Sequence, residues 1–326
     1  MGATRPRMVD VARVAGVSTA TVSRALREPE AVSPRMRERI DAAVERLSYR
    51  RNLMAGGLAS ARSMTIGVVI PSMINAFFSN TLEGMESGLA GSSRYGLETE
   101  EQLVASLLAW SPAAIVVTGC RHSRGTMRML LDANIPVIEM WELSDRPIDT
   151  VVGFSQRTAG AAAARHLIER GATRLGFIGA MLSSDYRAGD RRAGFMAAAA
   201  ECGFAPPAEV SVPEQATAVG GAKALSQLMD AHPDVDAVLC SNDVMALGAI
   251  FEAHRHGWQG PQRLKLCGCG DIDFAAATEP ALTTIRPPRR AIGVKIAEVL
   301  LQRFAGVEAT ETVFDLGFEL VVRGST

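Results

Sequence analysis

From Thr65 onward the chain alternates short apolar runs with stretches of helical periodicity, and this alternation limits the fold more than any other feature. The apolar runs lie at 66–70, 114–118, 137–140, 151–154, 174–178, 210–212, 237–240 and 264–267. Helical spacing of apolar residues fills 78–90, 98–109, 126–134, 157–170, 188–202, 220–231, 244–256 and 288–304. Strand followed by helix, repeated, builds parallel sheets with helices on both faces. So many strands imply two doubly wound sheets, hence an α/β body. The natural division falls near 155–160, and the chain returns to the first half near 285–289. The body is therefore expected at 64–326, with one subdomain at 64–156 plus 286–318. The other takes 157–285 plus the C-terminal end. One interval breaks the rhythm. Gly91-Ser92-Ser93-Arg94-Tyr95-Gly96-Leu97 joins two helical stretches with no apolar strand between them, so the first sheet is expected to be one strand short.

The first 50 residues have a different texture, that of three short helices. Met8, Val11, Ala12 and Ala15 share one face of the first. Gly16 can take the positive φ of a tight turn, and Ser18 can cap a second helix over 19–26. Ser33-Pro34 places a cap before proline at the first position of a third helix over 35–47. This spacing is a helix-turn-helix signature. Its second helix turns Thr19, Ala20, Ser23 and Arg24 outward on side chains short enough for the major groove. Ser18 and Ser23 suit phosphates, and Arg24 suits either a guanine edge or a phosphate. Residues 51–63 form a connecting segment, where adjacent Gly56 and Gly57 each cost a helix roughly 1 kcal/mol relative to alanine.

Charge supports this division. The net charge of −1 hides 12 arginines and no lysine against six acids in residues 1–63. The rest carries 22 basic against 29 acidic residues. A basic head on an acidic body points to a polyanion partner for the head alone. No secretory segment is apparent and no run reaches the roughly 18 apolar residues of a membrane helix, so the chain is expected in the cytoplasm. The five cysteines are unpatterned, so buried free thiols are expected rather than a metal site. No dinucleotide fingerprint, phosphate loop or nucleophile elbow is present. Neither catalysis nor a cofactor is expected. A transport-type sugar-binding protein would share the body but not the head.

Residues 8–60 resemble the DNA-binding head of the lactose-repressor (LacI) family. The shared pattern is D-V-A-x-x-A-G-V-S-x-x-T-V-S-R over Asp10 to Arg24, then Val32-Ser33, then Tyr49, Asn52, Ala55, Leu58 and Ala59. The resemblance continues along nearly the whole chain. It implies a periplasmic-binding-protein-like body and a homodimer on near-palindromic double-stranded operator DNA. It also implies a hinge helix over 52–60 in the minor groove, with Leu58 as an apolar wedge that unstacks a base step. The implied DNA-contacting set is Arg7, Ser18, Thr19, Ala20, Thr21, Ser23, Arg24, Ser33, Asn52, Ala55 and Leu58. Arg7 stands where the family often has a capping threonine, and suits a phosphate instead.

In such a body the ligand lies between the sheets, beyond the C-terminal ends of strands. Candidates after the strands are Asn75, Phe77 and Phe78; Thr118 and His122; Glu139, Trp141 and Glu142; and Asp271. Arg191 matches the family's R-x-x-G-F, whose arginine contacts effector, and Asn242 its N-D. Several have plainer readings: core for Phe77 and Phe78, a solvated loop acid for Glu142, an idle exposed ring for His122. The family's usual acid is replaced by Gly270, with Asp271 one place on, which favours an acidic ligand over a neutral sugar. The stretches E-M-W-E-L, V-G-F-S and G-C-G-D most resemble the gluconate-utilisation repressor branch. The resemblance thus implies a repressor of sugar-acid catabolism whose effector is gluconate or a keto-gluconate.

Overall fold

Both textures fold as their periodicity dictates in the computed structural model, which describes residues 8–27, 31–47, 66–70, 89–92, 96–258, 260–307 and 310–326. Two units, Met1–Met64 and Thr65–Thr326, each have their own contacts. In the first, α1 (Met8–Ala15), α2 (Thr19–Arg27) and α3 (Pro34–Arg46) close around Val11, Ala12, Ala15, Val22, Ala25, Ile40 and Ala43. Gly16 turns the chain between α1 and α2 at φ +64°.

The second unit contains two sheets. The first has the order β11-β5-β4-β3-β1-β2. Its strands are β1 (Ile66–Ile70), β2 (Leu89–Ser92), β3 (Ala114–Thr118), β4 (Val137–Met140), β5 (Thr150–Gly153) and β11 (Val313–Asp315), all parallel. The second has the order β12-β10-β9-β8-β6-β7. It is built from β6 (Leu175–Ala180), β7 (Ala208–Val212), β8 (Ala237–Cys240), β9 (Lys265–Cys269), β10 (Thr283–Arg286) and β12 (Glu319–Val321). There β12 alone runs antiparallel, against β10. The first sheet is covered by α4 (Leu97–Ala109), α5 (Arg124–Asp132) and α10 (Arg289–Phe304). The second is covered by α6 (Gln156–Glu169), α7 (Tyr186–Glu201), α8 (Ala218–Ala231) and α9 (Asp243–Arg255).

The expected gap in the first sheet is overturned. Leu89–Ser92 is a strand, with Leu89 opposite Gly67 and Ser92 opposite Ile70. Helical spacing had assigned Leu89 and Ala90 to a helix. The open edge of β1 offers a row of backbone donors and acceptors, and pairing with it outweighs a weak side-chain pattern. Strands β10, β11 and β12 were likewise invisible as apolar runs, being three or four residues long.

The chain crosses between the sheets three times: at Phe154-Ser155, at Pro287-Pro288 and at Leu316–Phe318. Two of these crossings touch, with the rings of Phe154 and Phe318 6.1 Å apart. Trp141 packs edge-on against Phe154 at 6.3 Å. Strand order reverses between β1 and β3 in one sheet and between β6 and β8 in the other. Each reversal is a topological switch point, where open α/β sheets receive ligands.

Candidate functional site

In the head, the turn and cap set the presentation of α2. The Ser18 hydroxyl accepts the Thr21 N–H at 3.1 Å and lies 2.8 Å from the Thr21 hydroxyl. Thr19, Ala20 and Arg24 are exposed, whereas Ser23 is half-buried. Ser33 stands before Pro34 as expected but its side chain makes no capping bond. Its carbonyl accepts the Met36 and Arg37 N–H groups instead. Sequence reading missed Arg39. Its Nη2 donates to the Ala15 carbonyl at 2.6 Å and reaches Gly16 at 3.4 Å, fastening α3 to the turn. Periodicity could not show this, because an outward arginine at that spacing looks like solvated surface. Arg7, Asn52, Ala55 and Leu58 lie outside the described residues, as do Asn75, Phe77 and Phe78.

In the body, Thr118 ends β3 at the first sheet's switch point, and Arg191 and Asn242 follow β6 and β8 at the second sheet's. Arg191 is buried on α7. Its Nη1 donates to Gln156 Oε1 at 2.5 Å and its Nη2 to the Ser241 carbonyl at 2.8 Å, while Nε makes no hydrogen bond. Gln156 in turn donates to the Trp141 carbonyl at 2.8 Å. One polar relay thus runs from β4's end, through Gln156 and Arg191, to β8's end. Asn242 follows there and caps α9 by accepting the Met245 N–H at 3.0 Å. Its neighbour Asp243 is also buried. It accepts the Thr284 hydroxyl at 2.6 Å and the Ile272 N–H at 2.9 Å. Burial dominates and pushes its carboxyl up to about 6, against the lowering effect of those two bonds. A Cβ on Gly268 would fall on this carboxylate, which explains a glycine inside β9.

Other candidates sit beneath the cleft surface. The His122 side chain is fully enclosed, 2.7 Å from Glu100 and 3.4 Å from Glu139. Burial pulls its pKa down, but the Glu100 hydrogen bond and the two nearby carboxylates outweigh this and hold it near 9. His122 is therefore neither idle nor exposed. Glu139 also accepts the Ile148 N–H at 2.7 Å, and the Trp141 ring is wholly buried. Trp141 adopts φ +76°, a costly conformation for a bulky residue. Thr118 donates its hydroxyl to the Val69 carbonyl at 3.0 Å. Asp271 is neutralised by Arg286 at 2.5 Å and Arg323 at 2.7 Å. Burial raises its pKa, but those bonds prevail and hold it below the usual range.

Glu142 is a buried cleft acid, not a solvated loop acid. It accepts the Cys120 N–H at 3.2 Å and faces Arg187 across the cleft at 3.3 Å. Beside it Arg121 pairs with Asp190, two contacts of 2.8 Å, and covers the Tyr186 ring at 5.0 Å. Sequence reading missed Arg121, Gln156, Tyr186 and Arg187. The segment Ser184-Asp185-Tyr186-Arg187 follows β6, so the strand-end rule applies to it. Arg187 also precedes Arg191 by one helical turn. The five cysteines are free thiols. Cys240, Cys267 and Cys269 are buried as expected, but Cys202 is exposed and Cys120 half-buried. No described helix is long and apolar enough to cross a membrane.

A helix-turn-helix head and a two-sheet body with a charged, largely enclosed cleft define a ligand-controlled transcription regulator. Residues 7–52 match the family of bacterial regulatory proteins of the lacI type, and residues 164–326 match a periplasmic binding protein-like domain. The HTH-type transcriptional regulator GntR of Pseudomonas aeruginosa is 38% identical over 99% of this chain and 96% of its own. A LacI-family transcriptional regulator from Silicibacter pomeroyi superimposes with a TM-score of 0.88 at 31% identity, covering 98% of this chain and 99% of that one. The Lac repressor dimer bound to operator superimposes at 0.86 with 26% identity, covering 99% of both chains. The chain belongs to the LacI family of DNA-binding transcriptional regulators.

Proposed function

We propose that this regulator represses genes for sugar-acid breakdown, and that a gluconate-type acid sets its grip on operator DNA. The observation carrying this reading is Arg191. It is a buried guanidinium that donates to two neutral oxygens and forms no ion pair among the described residues. An uncompensated buried cation is costly, and a ligand carboxylate relieves that cost with charge-assisted bonds. Gluconate or a keto-gluconate supplies the carboxylate, with hydroxyls for Asn242 and its neighbours.

The head, residues 1–50, reads the operator through α2, and 51–63 form the hinge. The body, 64–326, senses effector and joins two copies into a homodimer, as in the operator-bound Lac repressor dimer. Effector binding shifts the first-sheet subdomains of the dimer relative to each other. That changes hinge spacing and operator affinity. The chain is read as non-catalytic and cytoplasmic, in keeping with the regulatory names of its relatives. Calorimetric titration of the full-length protein with gluconate and 2-ketogluconate tests the reading, paired with gel shifts on its promoter DNA. Saturable heat and an effector-dependent shift are expected; no heat at millimolar acid overturns the effector.

A further inference from the structure

Helix α7 carries two pairs of functional side chains, each spaced by one turn: Arg187 with Arg191, and Tyr186 with Asp190. Arg191 bonds within its relay, whereas Arg187, Tyr186 and Asp190 face the loops after β3 and β4. Two ion pairs of opposite polarity therefore span the cleft. Arg121 of the first sheet's side reaches Asp190, and Arg187 of the second reaches Glu142.

The two pairs differ in kind. Arg121 and Asp190 meet at 2.8 Å through both carboxylate oxygens, with the arginine half exposed. Arg187 and Glu142 are both nearly buried, at 12% and 8% exposure, yet meet only at 3.3 Å through one oxygen. Desolvation is heaviest and Coulomb gain weakest for that second pair, so it is the more easily exchanged. It also lines a cavity with Thr118, Gly119, Ser184 and Tyr186.

Resting on the sugar-acid reading above, we propose that Arg187 shares the effector's carboxylate with Arg191, one helical turn on, and that Glu142 is that carboxylate's built-in stand-in at Arg187, a counter-ion displaced by acids and not by neutral polyols. A ligand carboxylate can form two short bonds to the guanidinium fork where Glu142 forms one long contact. Arg187 also faces Asp185, but at a looser 3.7 Å, and a neutral polyol brings no charge to replace the closer Glu142 contact. Displacement has a structural consequence, because Glu142 also holds the Cys120 N–H. Releasing it loosens the loop that carries Arg121, and so reports occupancy to the second ion pair.

The test is calorimetric titration of full-length protein with gluconate and with glucitol, its neutral analogue, for wild type, Arg187→Gln and Glu142→Gln. Expected for Arg187→Gln is a loss of gluconate affinity of about 100-fold, with the preference for acid over polyol reduced to match. Glu142→Gln removes the competitor, and gluconate then binds several-fold more tightly. Arg187→Gln within twofold of wild type, or Glu142→Gln no tighter than wild type, overturns the proposal. Arg187→Lys, which keeps the charge and loses the fork, gives an intermediate loss and replaces the glutamine variant should that one unfold. Wild-type protein that takes up no acid overturns the effector reading itself. Wild-type uptake with unaltered variants overturns only the exchange.

Discussion

A Cβ placed on Gly160 of α6 would fall on the carbonyl oxygen of Arg191 in α7. The relationship is reciprocal, since a Cβ on Gly194 would fall on the Arg157 carbonyl. Two backbones thus touch directly at Arg191, the arginine proposed above to meet the effector. Gly160→Ala or Gly194→Ala should push α7 outward and cost about 1–3 kcal/mol of stability. Either should also weaken gluconate binding more than Ala162→Gly, a helix-weakening control on α6. Urea midpoints and calorimetry on the same preparations check both.

His122 gives the body a pH signature. Its folded pKa of about 9 lies above the ordinary 6.5. Its contribution to stability is therefore complete below pH 6.5 and lost as pH rises through about 9. His122→Gln should flatten the fall in unfolding free energy between pH 7 and 9.5. Unfolding curves at closely spaced pH values decide it, and an unchanged slope counts against the buried imidazolium.

In the head, Arg39 should matter without touching a base. Removing its bonds to Ala15 and Gly16 in Arg39→Ala should cost about 1 kcal/mol of head stability, because each bond contributes on that order. Operator affinity should fall several-fold. Adding salt should reveal a log–log slope changed by less than one unit if Arg39 acts by positioning, and by about one if it neutralises a phosphate.

Leu58 carries a contrasting expectation drawn from the family resemblance. Leu58→Ala should weaken operator binding far more than binding to random duplex, because a wedge contributes only where the duplex bends. Equal losses on both DNAs, measured by fluorescence anisotropy, would rule out the wedge.

Much of the fold was legible because period-two and period-3.6 patterns are strong where both strand faces are buried. Val116, Ile138 and Val152 are wholly enclosed, and each lies in a run visible in the sequence. The unreadable strands are those whose pairing comes from geometry. Leu89–Ser92 follows the open edge of β1, and Val313–Asp315 follows β5. In the candidate site, the position of Arg191 was readable from its motif and that of Glu142 from its place after a strand, while their roles stand as proposals. Partner choice was not, since nothing local to Glu142 announces Arg187, 45 residues on. His122 and Trp141 follow strands too, yet fold inward, because a strand end fixes where a residue lies and not which way it turns.

The three crossings between the sheets have a mechanical meaning. Two bodies joined by one tether keep every rotation; joined by three short, separate ones, they keep little beyond a shallow bend. Pro287 and Pro288 stiffen one tether through their fixed φ, and the Phe154–Phe318 contact binds the other two together. On the proposed function, signal in this body is expected to travel as a small coordinated tilt with a preferred axis. A ligand needs to supply direction rather than amplitude, and exchanging one carboxylate for another is a sufficiently small event to do so.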